Sequence, residues 1–170
     1  MTENVIKSRL VNITALATDY CAAVQNAREI EKQDFVIEIL GYLPRLYWEF
    51  ADLVVEDVTS DIDYEYYPSY VDEDFYDSVR CGVETTMGED DVFLETFEDD
   101  MKYSDTPIAS SISECLADIF QPLYNFISVV KESDGEQMVG AYSECRENFV
   151  AYWSQTLCNV MRALNNLRFK

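Results

Sequence analysis

The sequence predicts an all-α fold, an up-down helical bundle of about six helices with an acidic loop insertion. Three observations predict it. Apolar residues recur at alternating steps of four and three over long stretches, the spacing that lays side chains along one face of a helix. Only 5 glycines and 4 prolines occur in 170 residues, so turn signals are few and the elements should be long. At 48% hydrophobic residues the chain can bury a substantial core, and its length suits one domain, residues 1–170.

The first helix is expected from about Asn4 to Arg28, with Ile6, Leu10, Ile13, Ala17, Tyr20, Val24 and Ala27 as its inner stripe. The charged stretch 29–33 breaks it. A second helix follows from Asp34, as N-cap, to Val55. Its stripe is Val36, Leu40, Leu43, Tyr47, Phe50 and Val54, with Ile39, Leu46 and Leu53 as a second row. Pro44 removes a backbone donor inside that helix and should kink it.

Periodicity fails from Glu56 to Val71, which reads as an extended acidic loop pinned by Tyr64, Tyr66, Tyr67 and Tyr70. Asp72 is the expected N-cap of a third helix, with Phe75, Val79 and Val83 inside and Gly88 closing it. A short fourth helix is expected over Asp90–Phe97. Thr106 and Pro107 form a cap-and-first-turn pair opening the fifth, whose stripe is Ile108, Ile112, Cys115, Ile119, Leu123, Phe126 and Val130, bent at Pro122. Ser133 to Glu136 supplies a turn and a capping box for the last helix, which carries Met138, Tyr142, Cys145, Phe149, Trp153, Leu157, Val160, Leu164 and Leu167.

The formal charge is −21, and it is concentrated. Residues 56–105 hold 18 acidic side chains against Arg80 and Lys102, a balance of −16. Such a surface repels nucleic acid and anionic membranes, which need Lys and Arg to meet their phosphates. Arg45, Arg80 and Lys102 read as isolated cations in structural ion pairs. Histidine is absent, which removes Ser-His-Asp and Cys-His catalysis and imidazole zinc sites. The five cysteines at 21, 81, 115, 145 and 158 show no Cys-x-x-Cys spacing and read as buried thiols of a reducing compartment. No signal-peptide core or apolar run of about 20 residues is present, so a cytoplasmic location is expected.

Few constellations carry chemistry. Glu95 and Glu98 lie three apart, and Glu114 and Asp118 four apart, each pair on one helical face. Two such pairs on facing helices resemble the magnesium sites of all-helical nucleotide pyrophosphatases. An acidic chain makes these pairs freely; Glu49 with Asp52, and Glu144 with Glu147, also qualify. Asp61, Asp63 and Glu65 begin like a calcium loop, but Tyr66 stands where glycine is required. No glycine-rich phosphate loop exists, and Ser110, Ser111 and Ser113 lack a base and read as polar groups of a helix start.

Pro44-Arg45-Leu46-Tyr47, Tyr103-Ser104-Asp105, the run Pro107–Glu114 and Leu116–Ile119 resemble a bacterial family described only as domain of unknown function 5063. The likeness extends to Tyr152-Trp153, so it covers nearly the whole chain. What the resemblance implies is a small, acidic, all-helical protein, with no activity, cofactor or catalytic residue attached. The expectation is a non-enzymatic cytoplasmic protein that contacts a basic protein partner through its acidic, tyrosine-rich face. The alternative is a magnesium- or manganese-dependent phosphohydrolase using Glu95, Glu98, Glu114 and Asp118.

Overall fold

The computed structural model describes residues 1–55, 67–95, 99–103 and 106–170, without the side chains of Asp100 and Met101. Helix α1 (Glu3–Gln25) buries Leu10, Ile13, Ala17, Tyr20 and Val24, the stripe its spacing sets. A single 3₁₀ turn (Ala27–Glu29) leads to α2 (Lys32–Asp52). Asp34 does not cap α2: the helix starts two residues earlier after Glu31, leaving Asp34 in its first turn, where the dipole favours an acid. The buried face of α2 is Phe35, Val36, Ile39, Leu43, Leu46 and Phe50. Tyr47 and Val54, expected inside, are exposed: the core meets the face that Val36, Leu43 and Phe50 share with the second row, Ile39, Leu46 and Leu53, and Val54 lies beyond the end of the helix.

Helix α3 (Glu73–Met87) begins as expected, with the Asp72 carboxylate accepting the Phe75 N–H at 2.8 Å. Gly88 ends it at a φ of 59°, a left-handed conformation open to glycine. The next segment departs from expectation. In place of a fourth helix stand a 3₁₀ turn (Gly88–Asp91) and β1 (Val92–Glu95), antiparallel to β2 (Ile108–Ser111). The register pairs Val92 with Ser111 and Glu95 with Ile108. Val92 and Leu94 alternate with Phe93 and Glu95, a period of two that fits a ribbon as well as a single helical turn.

The opening of the long helix is corrected too. Thr106 and Pro107 approach a strand, since the residue before proline is driven to extended backbone. Helix α4 (Ile112–Glu132) starts after Ser111, whose hydroxyl accepts the Glu114 N–H at 3.2 Å. Ser133 Oγ accepts from Gln137 N–H at 3.1 Å, so the turn is capped one residue beyond the expected Ser-x-x-Glu box. Helices α5 (Met138–Asn148) and α6 (Ser154–Phe169) run on through a π-helical turn (Phe149–Trp153) as one rod. The described residues therefore form five helical rods, against about six expected.

That π turn has a sequence cause. The last stripe steps by four three times in succession, Cys145 to Phe149 to Trp153 to Leu157, which drifts round a regular α-helix. A wider turn returns the drifting residues to one face. All four are buried.

Helix α4 is the axis, packing on α1, α3, α5 and α6, while α1 and α2 pair beside it. Phe50 sits among the rings of Phe126, Tyr142, Phe149 and Trp153, with centroids 5.0–6.5 Å away. The Tyr142 hydroxyl donates to Leu53 O at 2.8 Å, just past the end of α2, and lies 3.2 Å from Glu49 O, which also accepts the Leu53 N–H. Pro44 and Pro122 both lie inside continuous helices. The acidic loop expected over 56–71 falls mostly outside the described residues. Its end, Tyr67 and Tyr70, packs half-buried on the core, and the Tyr70 N–H donates to Asn125 Oδ1 at 2.7 Å.

Candidate functional site on the acidic ribbon

The ribbon β1–β2 is pinned to the bundle by polar contacts. Asp91, only 5% exposed, receives the Ser113 N–H at 2.8 Å and the Ser113 hydroxyl at 2.7 Å. A carboxylate here faces the open N–H groups and positive end of α4, which accounts for a buried acid without a cation. Glu95 is also buried and accepts from Asn159 Nδ2 at 2.9 Å. Arg162, on the same side of α6 one turn on, donates to Leu94 O at 2.8 Å. Asn159 and Arg162 thus tie the ribbon to the last rod.

The four proposed carboxylates occupy different settings. Glu98 lies outside the described residues. Glu95 is held inside the ribbon, Glu114 is exposed in the first turn of α4, and Asp118 is half-buried. Asp118 accepts the Tyr76 hydroxyl at 2.7 Å and the Tyr152 hydroxyl at 3.3 Å, one on each oxygen. Burial first, then the hydrogen bond to Asp118, raises the Tyr76 phenol above its ordinary range, with Glu114 adding to it. Tyr152 is raised in the same way, by burial and by Asp118. Both phenols stay protonated donors at neutral pH.

Glu95, Glu114 and Asp118 share a neighbour in Cys115. Burial pushes its thiol up to about 12; the Ser110 hydroxyl, 3.7 Å away, works against that, and the three carboxylates work with it. The thiol is therefore a poor nucleophile. Among the described residues no three His, Cys, Asp or Glu side chains converge to hold a metal ion.

Outside this polar layer the ribbon is apolar. Val92 is 64% and Leu94 54% exposed, and Ile108, Tyr103 and Tyr152 are exposed with them. Lys102 pairs with Asp99 at 3.1 Å, and Arg80 with Glu84 at 2.9 Å and Asp77 at 3.5 Å, as expected of isolated cations. Arg45 is exposed and makes no ion pair among the described residues. Glu49 and Asp52 have a structural explanation: Arg9 bridges them at 2.7 and 2.8 Å.

All five cysteines are free. Cys21, Cys115 and Cys145 are buried as expected, but Cys81 is half-buried and Cys158 exposed.

The family described as a domain of unknown function, DUF5063, matches residues 4–170. The chain belongs to that family. This DUF5063 protein is also similar to the crystal structure of protein BF1032 from Bacteroides fragilis, at 30% identity and a TM-score of 0.80, over 95% of this chain and 93% of that one. Comparison with curated proteins gives no match.

Sequence reasoning missed Asp91, Tyr76, Asn159 and Arg162 as determinants of this side. Asn159 and Arg162 carried a signal, two polar residues three apart beside the apolar stripe of the last helix. Asp91 carried none, because its role depends on a helix end that begins 21 residues later.

Proposed function

We propose that this DUF5063 protein is a non-enzymatic cytoplasmic protein that binds a basic protein partner on the ribbon side. The observation that carries this reading is the exposure of Val92 and Leu94 within the −16 stretch. An apolar centre inside a charged rim is the arrangement of a protein contact, and carboxylates around it select a partner rich in Lys and Arg. The tyrosines Tyr103 and Tyr152 add amphipathic rings of the kind favoured in interfaces. No helix among the described residues is long and apolar enough to cross a membrane.

The test is affinity capture by the wild-type chain and by a Leu94→Asp variant, at low and high salt. Partners lost in the variant and weakened by salt support the reading. Partners retained at equal yield by Leu94→Asp, and by a chain with the acids of 56–105 neutralised, refute it.

A divalent-metal phosphohydrolase is the second reading, favoured by the shared influence of Glu95, Glu114 and Asp118 on Cys115. It has less support, because Asp118 is engaged by two phenols and Glu95 by an amide. Calorimetry with magnesium or manganese separates the two. A site abolished by Glu114→Gln supports the hydrolase, and the absence of heat removes it.

A further inference from the structure

Before α3 begins, the chain from Tyr67 to Val71 lies against both α4 and α5 as a strap, with a small pocket beside it. Its contacts fix it to each helix. The Tyr70 N–H donates to Asn125 Oδ1 on α4 at 2.7 Å. Tyr67 lays its hydroxyl against Gly140 on α5, in space that a β-carbon there would fill. The Ser69 hydroxyl donates to Val71 O at 3.2 Å, and Val71 is buried. Between strap and helices remains a cavity of about 130 Å³.

The lining indicates the occupant. Pro68, Phe126, Val129 and Ala141 supply an apolar wall, and Asn125, Glu144 and Asn148 supply polar groups. Glu144 and Asn148 make no hydrogen bond or ion pair among the described residues. The Asn125 oxygen is taken by Tyr70, which leaves its NH2 group as an unused donor. No Lys or Arg among the described residues lines the cavity, so an anion finds no partner in it. Burial first, then the neighbouring Glu147, raises the Glu144 carboxyl above its ordinary value, and a cation beside it offsets both. A cavity of about 150 Å³ admits benzene, so this one limits a ligand to about six non-hydrogen atoms.

We propose that this pocket binds a small primary amino alcohol. Its ammonium donates to the Glu144 carboxylate and the Asn148 side-chain oxygen, as a charge-assisted pair. Its hydroxyl accepts from Asn125 Nδ2, and its carbon stem lies on the wall of Phe126 and Ala141. The pocket shares no residue with the ribbon, so this inference is independent of the partner reading above.

Titration of the full chain with ethanolamine, followed by NMR shifts of the backbone amides, tests this. Saturable shifts confined to the strap and to residues around Asn125, Glu144 and Asn148 are expected, with a Kd of about 1 mM. Ethylamine, which lacks the hydroxyl, should bind about threefold or more weakly. Ethylene glycol and acetate should not bind. Phosphoethanolamine, the lipid-headgroup form, should bind about tenfold or more weakly, because its phosphate meets no cation. Glu144→Gln should weaken ethanolamine binding about tenfold or more, and Gly140→Ala should weaken it by displacing Tyr67. Glu144 is exposed, so Glu144→Gln is expected to fold, and thermal melts followed by circular dichroism check this. Shifts that fail to saturate by about 20 mM, or that spread over the exposed acids of the whole chain, overturn the proposal. So does a Kd unmoved by Glu144→Gln, or phosphoethanolamine or acetate binding as tightly as ethanolamine.

Discussion

The centre of the bundle and the ribbon on its flank are held by different forces. Around Phe50, four aromatic side chains exclude water, and stability follows from apolar area and close packing. The ribbon contributes little area of its own. It leaves Val92 and Leu94 in solvent and is fastened by Asp91 on Ser113, Glu95 on Asn159 and Arg162 on Leu94 O. A two-stranded ribbon is marginal alone, so these polar ties decide whether it stays seated. The body keeps the fold, while the flank keeps a surface that few apolar contacts constrain.

The strongest way to break this contrast is Phe50→Ala. Removing a fully buried ring that touches four others should cost about 3–5 kcal/mol and lower Tm by on the order of 10 °C, read by calorimetry. A loss below about 1 kcal/mol would mean that the aromatic centre is not what holds the bundle.

Next in size is Asp91→Ala, which leaves Ser113 and the start of α4 without their acceptor. The expected loss is about 1–3 kcal/mol in urea unfolding, with hydrogen exchange rising first in residues 92–95. Paired with Ser113→Ala, the two losses should fall short of adding, since both remove one contact. Full additivity would break the link between ribbon and helix end.

These contacts also show how far the sequence was legible. The inner stripes of α1 and the last rod emerged largely as read, and that of α4 from Ile112 onward, because a helical face is set by spacing within one segment; Ile108, read at the head of the α4 stripe, is instead exposed in β2. The expected helix at 90–97 failed, and so did the Thr106-Pro107 start. Val92-Phe93-Leu94-Glu95 suits a turn of helix or a strand, and only a partner at 108–111 chooses between them. Of the proposed carboxylates, Asp118 proved to be a tyrosine acceptor and Glu95 an amide acceptor. Neither Tyr76 nor Asn159 is close to them in sequence, so no spacing rule could link them.

The smallest expected effects concern the thiols. Cys115 is pushed up to about 12, and burial raises Cys21 and Cys145 as well. An unfolded thiol ionises near about 8.5, so the stabilising bias for the protonated fold is complete below that pH. It is lost as pH rises from there through the folded value. The urea midpoint should therefore fall progressively above about pH 8.5. Alkylation of the native chain, read by mass spectrometry, should label Cys158 first and Cys81 next, with Cys21, Cys115 and Cys145 last. Early labelling of Cys115 would show the ribbon lifting away from α4 and sharpen the difference between flank and body.

The sequence by itself determined an all-helical body, its buried stripes and the crowding of negative charge between residues 56 and 105. Those are properties of order and composition along single segments. Tertiary structure decided that residues 92–95 are a strand, that Asp91 caps a helix begun 21 residues later, and that two phenols claim Asp118. Each of these depends on groups remote in sequence, whose hydrogen bonds form only after burial has brought their elements together.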